Sequence, residues 1–276
     1  MSDDTKTTSA DAQAIDAGPV YATGKTRGKK DKSGAANEGM EIIKTIFFAL
    51  LIAFVLRVLL FQPFTIPSAS MEPNLYEGDY IVVSKWDYGY SKHSIPFSPD
   101  IFKGRVFDAT PVRGDIVVFK TPRDNKTDFI KRLIGLPGDR IQVRDNLLYI
   151  NDQPARDVPL TAAETDSLAS QITQVRETIL TGRSFNIQDY GPNNELDNTE
   201  VFTVPQGHYF MLGDNRDNSL DSRVEPWANG VGLVPEENLI GRARIILFSW
   251  TPGASLWNPV TWFANLRPSR FFNVLH

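Results

Sequence analysis

The sequence predicts a mostly β protein with a single N-terminal transmembrane helix and an antiparallel β-sheet domain that carries an inserted peripheral subdomain. One continuous apolar run lies near the N-terminus, at residues 42–61. The rest of the chain holds short β-branched and aromatic runs bounded by glycine, proline, aspartate and asparagine, a pattern typical of strands and turns. Strands and helices do not alternate along the chain, which argues against a parallel α/β sheet.

The composition excludes several kinds of site. The 276 residues include no cysteine, which removes cysteine nucleophiles, thiolate metal sites and disulfides. Only three histidines, His93, His208 and His276, are available for a histidine-dependent catalytic triad. The formal net charge is −4 and no long basic face is present, which argues against a nucleic-acid partner. We expect no cofactor and no metal site.

Residues 1–40 are predicted to form a disordered cytoplasmic tail. They are small, polar and charged and show no apolar periodicity. A basic cluster lies at the end of this segment: Lys25, Arg27, Lys29, Lys30 and Lys32. By the positive-inside rule, this cluster keeps the tail in the cytoplasm and places the remainder of the chain outside.

Residues 41–62 are predicted to form the transmembrane helix. About twenty residues at a rise of roughly 1.5 Å cross a hydrocarbon core of about 30 Å. Lys44 and Arg57 are the charged residues of the run, and both lie near its ends, where long side chains reach the headgroups. The alternative is a buried core helix, but residues 45–56 lack the polar face that such a helix normally has.

A cleaved secretory signal is a second alternative for this segment. The sequence Ser68-Ala69-Ser70 resembles a small-residue cleavage site. However, the apolar run is longer than the roughly 7–15 residues of a typical signal, and a long tail precedes it. We therefore expect an uncleaved anchor that holds residues 63–276 as one exported domain.

Within the exported domain, residues 152–205 are predicted to be a peripheral insertion. Residues 162–181 are the one segment there that favours a soluble helix. Near the C-terminus, residues 256–272 contain five large aromatic side chains: Trp257, Trp262, Phe263, Phe271 and Phe272. These aromatics are compatible with a membrane interface or with a tail packed on its own domain.

Two segments contain candidate catalytic residues. In residues 66–73, prolines bracket Ser68 and Ser70, and a rigid turn of this kind holds a nucleophilic hydroxyl in place. In residues 129–139, a period of two places Lys131 on one strand face and Arg132 on the other. If the face of Lys131 is buried, desolvation lowers the pKa of its amine toward that of a general base. Each segment alone is also compatible with an ordinary loop or a surface Lys-Arg pair.

Two further segments are chemically unusual. Residues 213–223 are almost entirely polar, and their alternating aspartates and arginines favour a neutralised hydrogen-bonded network beside a site. A solvated loop or a calcium loop is the alternative, although the pattern of an EF-hand is missing. Residues 113–119 are interpreted as a core strand, and their Arg-Gly-Asp tripeptide as a coincidence.

Taken together and in this order, these segments resemble bacterial type I signal peptidase. Beyond the apolar anchor, the matching blocks are P-S-A-S-M-E-P at 67–73, G-D-I-V-V-F at 114–119, K-R-L-I-G-L-P-G-D at 131–139 and G-D-N-R-D-N-S-L-D-S-R at 213–223. The resemblance runs from about residue 61 to residue 250 and is weak between about 150 and 200. Two positions depart from the common family pattern, since Ala69 replaces a frequent glycine and Asn74 a frequent threonine.

The resemblance implies a serine endopeptidase with a Ser/Lys dyad. Ser70 would be the nucleophile and Lys131 the general base. The Ser68 hydroxyl and the Ser70 backbone N–H would stabilise the oxyanion. Ser219 would orient the lysine by a hydrogen bond. Two ion pairs would support the site, one between Asp221 and Arg223 and the other between Arg132 and Asp214.

The resemblance also implies substrate and location. Signal peptides of exported preproteins would be cleaved after small residues of the Ala-x-Ala type, with Ile66 and Ile130 lining the pockets. The protein would span the bacterial inner membrane once, with the bilayer as its other partner and the catalytic domain on the outer face.

Three rival functions are less well supported. A tethered scaffold without activity would not need both Ser70 and Lys131, and both are present. A self-cleaving repressor needs an N-terminal DNA-binding domain, for which the tail has no helical pattern. A specialised conjugation-type peptidase of the same superfamily, with a narrower substrate, stays open.

Overall fold

The computed structural model describes residues 32–161, 173–251 and 263–276. The chain divides into two units, Met1–Phe48 and Ala49–His276. Helix α1, Lys32–Leu59, begins inside the predicted tail, and its segment Glu38–Leu59 is long and apolar enough to cross a membrane. The large apolar side chains of that segment are exposed, as expected of a helix that faces lipid. The structure therefore contains the single apolar N-terminal helix that the sequence predicts.

The second unit contains fifteen described strands. In chain order they are β1 Phe61–Thr65, β2 Asp79–Ser84, β3 Ile116–Lys120, β4 Asp128–Gly135, β5 Arg140–Arg144, β6 Leu147–Ile150, β7 Gln153–Pro154, β8 Arg156–Pro159, β9 Thr173–Thr178, β10 Ser184–Asp189, β11 Phe202–Thr203, β12 His208–Leu212, β13 Val234–Pro235, β14 Leu239–Ser249 and β15 Asn273–Val274. The mostly β prediction is confirmed, and these strands pair with one another in the antiparallel sense.

The main sheet has the order β1-β2-β14-β3-β4-β12-β13, and β15 also pairs with β14. Its strands are short because turns rich in glycine, proline and asparagine interrupt them, and β14 is the longest. In β4 the register places Lys131 opposite Val117 of β3 and Arg132 opposite Ile116. Strand β4 lies inside the sheet, between β3 and β12, so its backbone is held on both sides.

The insertion forms its own small sheet of β10-β9-β8, and β5, β6, β7 and β11 form a third sheet. The helix predicted over residues 162–181 is wrong for Thr173–Thr178, which is strand β9. Pairing with β8 on one side and β10 on the other fixes this segment as a strand and overrides its helical pattern. Residues 162–172 of that prediction lie outside the described residues.

Two apolar clusters tie these sheets to the segments with candidate catalytic residues. One contains Ile66 and Met71, which flank Ser70, together with Ile130, which precedes Lys131. The other packs main-sheet residues such as Phe210 against Phe185 of the insertion. Both candidate segments are therefore anchored in packed cores, which limits the freedom of the polar side chains between them.

The predicted C-terminal aromatic stretch is described only in part. Phe263 and Phe272 are exposed, and Phe271 is partly buried beside Phe272. Trp257 and Trp262 lie outside the described residues.

Candidate active site

Ser70 lies in the segment that joins β1 to β2, within a short 3-10 turn at Ala69–Met71. Backbone hydrogen bonds close the base of this segment, from Ile66 N to Asp79 O at 2.9 Å and from Gly78 N to Ile66 O at 3.0 Å. The side chains of Ile66 and Met71 are buried on either side of Ser70. The loop is therefore fixed at both ends and holds the Ser70 hydroxyl in one place.

Lys131 projects from the middle of β4, and its neighbour Arg132 projects from the opposite face. Lys131 Nζ lies 5.4 Å from the centroid of the Phe129 ring, two residues away on the same face. The Arg132 guanidinium stacks 3.9 Å from the ring of Phe185, in the inserted sheet. This alternation follows from the period of two of a strand.

The two candidate catalytic side chains meet. Lys131 Nζ lies 2.6 Å from Ser70 Oγ and 3.1 Å from the Ile130 carbonyl oxygen. Lys131 is 3% exposed and Ser70 is 8% exposed. Burial lowers the pKa of the Lys131 amine to about 8, although the carboxylates of Asp221 and Asp214 oppose the shift. About a tenth of the amine is then neutral at pH 7, and a neutral amine can accept the serine proton.

Ser68 lies beside the pair, with its Oγ 3.4 Å from Ser70 Oγ. It occupies the N-cap position of the 3-10 turn, but its side chain makes no capping hydrogen bond. The Ser68 hydroxyl is therefore available to a group that approaches Ser70. The N–H groups in the first turn of such a helix, that of Ser70 included, have no acceptor within the helix.

Arg132 forms a buried two-point ion pair with Asp214. Its Nε and Nη2 donate to the two carboxylate oxygens at 2.7 Å each, and its Nη1 donates to the Gly114 carbonyl at 2.7 Å. Asn74 Nδ2 donates to the same carboxylate at 2.7 Å and to the Asn186 carbonyl at 2.6 Å. Asn74, one of the two positions at which this chain departs from the family pattern, thus links the serine loop, the Asp214 loop and the inserted sheet.

Asp221 and Arg223 form the second buried ion pair. Arg223 Nε and Nη2 donate to the two carboxylate oxygens at 2.9 Å each, and the Gly213 N–H donates to Asp221 Oδ2 at 3.0 Å. Burial alone raises the pKa of the Asp221 carboxyl, but the guanidinium and the backbone N–H groups outweigh it and hold the pKa below its usual value. Asp221 is therefore a fixed anion near Lys131.

Ser219 does not make the hydrogen bond to Lys131 that the resemblance implies. Its Oγ is buried and has no hydrogen-bond partner in the described part of the chain. The Lys131 amine lies instead beside Ser70 Oγ and the Ile130 carbonyl. Gly213 packs against Ser219, because a Cβ on Gly213 would lie 2.2 Å from Ser219 Oγ and 2.6 Å from the Ser70 carbonyl oxygen. No other residue fits at position 213 without displacing one of the two serines.

Sequence reasoning missed the contribution of the insertion. Arg216, in the polar loop, is buried and donates to both carboxylate oxygens of Glu177 at 2.8 and 2.6 Å. The Gln188 N–H donates to the Asp214 carbonyl at 3.0 Å, and the Arg216 N–H donates to the Gln188 carbonyl at 3.0 Å. Strands β9 and β10 therefore support the loop that surrounds Lys131. Arg216 belongs to the polar block at residues 213–223. The helix predicted over residues 162–181 gave no reason to expect Glu177 at the site.

Ile66 and Ile130 lie in the same apolar cluster. Both line one shallow depression of about 240 Å³, with Phe64, Pro67 and Phe129 along its walls. Ile66 precedes the serine turn, and Ile130 is adjacent to Lys131. The depression is thus lined by residues that lie close in sequence to Ser70 and Lys131.

Comparisons with known proteins identify the family of this chain. Residues 39–250 match the family model described as signal peptidase, peptidase S26. The chain belongs to the S26 signal peptidase family. It is therefore a hydrolase of the signal peptidase type, and the activity of its family is the removal of signal peptides.

Two relatives support the same assignment over 83% of the chain. The signal peptidase I of Rickettsia typhi is 42% identical over 247 residues, which cover 83% of this chain and 91% of that protein. The signal peptidase I of Rickettsia prowazekii has the same identity and coverage. A crystal structure of a signal peptidase I from Enterococcus faecalis V583 shares 30% identity, covers 49% of this chain and 97% of that chain, and gives a TM-score of 0.28.

Proposed function

We propose that this S26 family member is a membrane-anchored serine endopeptidase that uses Ser70 as nucleophile and Lys131 as general base. The observation that carries the proposal is the distance of 2.6 Å between Lys131 Nζ and Ser70 Oγ, at an amine that is almost fully buried. A serine hydroxyl needs such an adjacent base, because it is a weak nucleophile at its ordinary pKa.

In the acylation step, Ser70 Oγ attacks the carbonyl carbon of the scissile peptide bond. Lys131 Nζ takes the hydroxyl proton as the new C–O bond forms. The tetrahedral intermediate then collapses, and the lysine returns the proton to the nitrogen of the leaving chain. The products are an acyl-enzyme on Ser70 and the free amino terminus of the mature protein.

The oxyanion of the intermediate would be held by the Ser70 backbone N–H and the Ser68 hydroxyl. The support for this role is the position of Ser68, with its Oγ 3.4 Å from Ser70 Oγ and unused as a cap. Loss of one such donor typically lowers the rate by about 10²–10³.

In the deacylation step, water takes the place of the leaving amine. Lys131, again neutral, accepts a proton from the water as its oxygen attacks the ester carbon. The C–O bond to Ser70 then breaks, and the proton passes back to the serine oxygen. The signal peptide leaves with a free carboxyl end.

The surrounding charges would hold the dyad in place. The ion pairs Arg132–Asp214 and Asp221–Arg223 fix the loop around Lys131 by two-point hydrogen bonds. Ser219 would contribute packing against Gly213.

Specificity would come from the groove beside the dyad. The substrate would bind as an added extended strand, with backbone hydrogen bonds for affinity and side-chain pockets for selection. The branched side chains of Ile66 and Ile130 leave only a shallow depression, which suits small residues of the Ala-x-Ala type. The substrates would therefore be the signal peptides of exported preproteins.

We also propose the location and the division of the chain. Residues 1–40 would form the cytoplasmic tail, 41–62 the single span of the bacterial inner membrane and 63–276 the catalytic domain on the outer face. The apolar segment Glu38–Leu59 and the basic residues that precede it support this orientation.

The experiment is cleavage of a purified preprotein with an Ala-x-Ala signal by the full chain in detergent. Wild type is expected to release the signal, and Ser70→Ala to release none above background. Ser269→Ala, at an exposed serine, is the matched control and should retain wild-type cleavage. Equal cleavage by Ser70→Ala and wild type would end the assignment of the nucleophile.

A further inference from the structure

A second depression lies beside the end of helix α1, away from the dyad, and it is basic. It has a volume of about 510 Å³, and Arg57 in the last turn of the helix lines it together with residues of the 93–98 loop and the β3–β4 turn. Four of its lining side chains are basic (Arg57, His93, Lys120 and Lys126), and Asp128 is its one carboxylate. Lys120 pairs with Asp128 at 2.7 Å. Arg57 and Lys126 have no carboxylate partner among the described residues, so the depression has a net positive charge.

His93 adds a buried polar atom without a partner. The residue is 5% exposed, and its Nδ1 lies 3.0 Å from Ser98 Oγ. Burial and the nearby Lys92 ammonium lower the pKa of His93, so the ring is neutral at pH 7. When the Ser98 hydroxyl donates to Nδ1, the ring proton sits on Nε2, which has no acceptor in the described part of the chain. A buried donor of this kind is costly unless a ligand supplies the acceptor.

The rim of the depression is apolar and faces outward. Phe97 lines it and is fully exposed, and Ile101, further along the same loop, is 69% exposed. Large exposed apolar side chains next to basic ones are typical of surfaces that enter the interface of a membrane.

The depression opens where the helix ends. Helix α1 ends at Leu59, and β1 begins at Phe61. The Tyr90 hydroxyl donates to the Leu59 carbonyl, and the Lys85 N–H donates to the Leu60 carbonyl at 3.0 Å, so the neighbouring loop is tied to this point. If α1 spans the bilayer as proposed above, Arg57 lies at the level of the headgroup phosphates.

We propose that this basic depression binds the headgroup phosphate of an anionic phospholipid in the outer leaflet. The inference rests on the membrane anchoring in the proposed function. Arg57 and Lys126 neutralise the phosphate, His93 Nε2 donates a hydrogen bond, and Phe97 enters the acyl region. Since Lys126 lies in the turn that leads into β4, a bound lipid also fixes the start of the strand that carries Lys131.

Native mass spectrometry of the full chain in detergent tests the site, with phosphatidylglycerol and phosphatidylcholine as the probes. Wild type is expected to retain one phosphatidylglycerol in preference to phosphatidylcholine. Lys126→Gln should weaken that binding about fivefold, the effect of one basic residue at an anionic surface. Arg57→Gln combined with Lys126→Gln should weaken it by the product of two such factors. Lys103→Gln, an exposed lysine of the same region outside the depression, should leave it unchanged.

Three outcomes would overturn the site. These are equal retention of the two lipids, an equal loss in Lys126→Gln and Lys103→Gln, and displacement of phosphatidylglycerol by excess inorganic phosphate. The last would mean that the depression is a site for free anions. Cleavage of the preprotein by wild type in lipid-free detergent tests the peptidase separately, so failure of the lipid site leaves that function intact.

Discussion

Two buried lysines in this domain have a similarly lowered pKa and different hydrogen-bond partners. Lys131 is 3% exposed and Lys85 is fully buried, and burial lowers the pKa of each amine to about 8. Lys131 Nζ lies 2.6 Å from the Ser70 hydroxyl. Lys85 Nζ donates to the Ser94 carbonyl, which has no proton to give. A lowered pKa therefore makes a base available, and only an adjacent hydroxyl gives that base a catalytic task.

The largest effect is expected from replacing the two lysines in turn. Lys131→Met removes the general base, so kcat/KM for a preprotein should fall by about 10²–10⁴. Lys85→Met makes the same change in side-chain shape and charge as Lys131→Met, but it should leave kcat/KM within about twofold of wild type. Parallel assays with circular dichroism would check that both variants fold. A loss of similar size in the two variants would remove the distinction between the lysines.

The next effect is expected at the hydroxyl beside the first lysine. Ser68→Ala removes an oxyanion donor and should lower kcat by about 10²–10³, with little change in KM. Ser94→Ala, near Lys85, keeps the carbonyl that Lys85 contacts and should leave kcat unchanged. Steady-state kinetics with one peptide substrate measures both. A kcat for Ser68→Ala equal to wild type would remove this hydroxyl from the mechanism.

A smaller effect is expected at the ion pair through which the insertion supports the site. Glu177→Gln keeps the size of the side chain but removes the charge opposite the buried Arg216, so we expect kcat to fall about tenfold and the thermal midpoint to drop. Asp152→Asn breaks an exposed pair with Arg140 and should change neither quantity. Restoration of kcat by Glu177→Asp would support a positioning role. If Glu177→Gln loses stability but retains kcat, the insertion is a structural support only.

The two lysines should be alike in their effect on stability. The folded pKa of each lies below the unfolded value of 10.5, so the unfolded chain binds more protons between about pH 8 and pH 10.5. Stability should therefore rise with pH across that window, and each Met variant should remove a share of the rise of the order of 1–3 kcal/mol. Denaturant unfolding of the detergent-solubilised chain at several pH values measures this. An unchanged slope in Lys85→Met would mean that its amine is not buried as described.

Local patterns predicted part of this site. The period of two of a strand was enough to place Lys131 and Arg132 on opposite faces of β4, and the proline-bracketed turn pointed to Ser70. The pairing of Arg132 with Asp214 followed only from the family resemblance. Each of these residues lies in a short sequence block whose composition is unusual enough to be recognised.

Other features depended on contacts that no local pattern reveals. Glu177 lies in a segment with a helical pattern, and only pairing with β8 and β10 makes it a strand. Lys85 is buried where its amine donates to the carbonyl of Ser94, nine residues later in a segment with no apolar periodicity. The Ser219 hydroxyl has no hydrogen-bond partner among the described residues because the position of Lys131 is decided by Ser70 and the backbone of Ile130.

The dependence of kcat/KM on pH, measured for wild type and Lys85→Met with the same peptide, tests the central claim most directly. Lys131 acts as a base only when neutral, so kcat/KM should rise with pH and reach half its maximum near pH 8 in both proteins. A profile that is flat from roughly pH 5 to pH 9 in wild type, or one whose midpoint disappears in Lys85→Met, would contradict the assignment of Lys131 as the catalytic base.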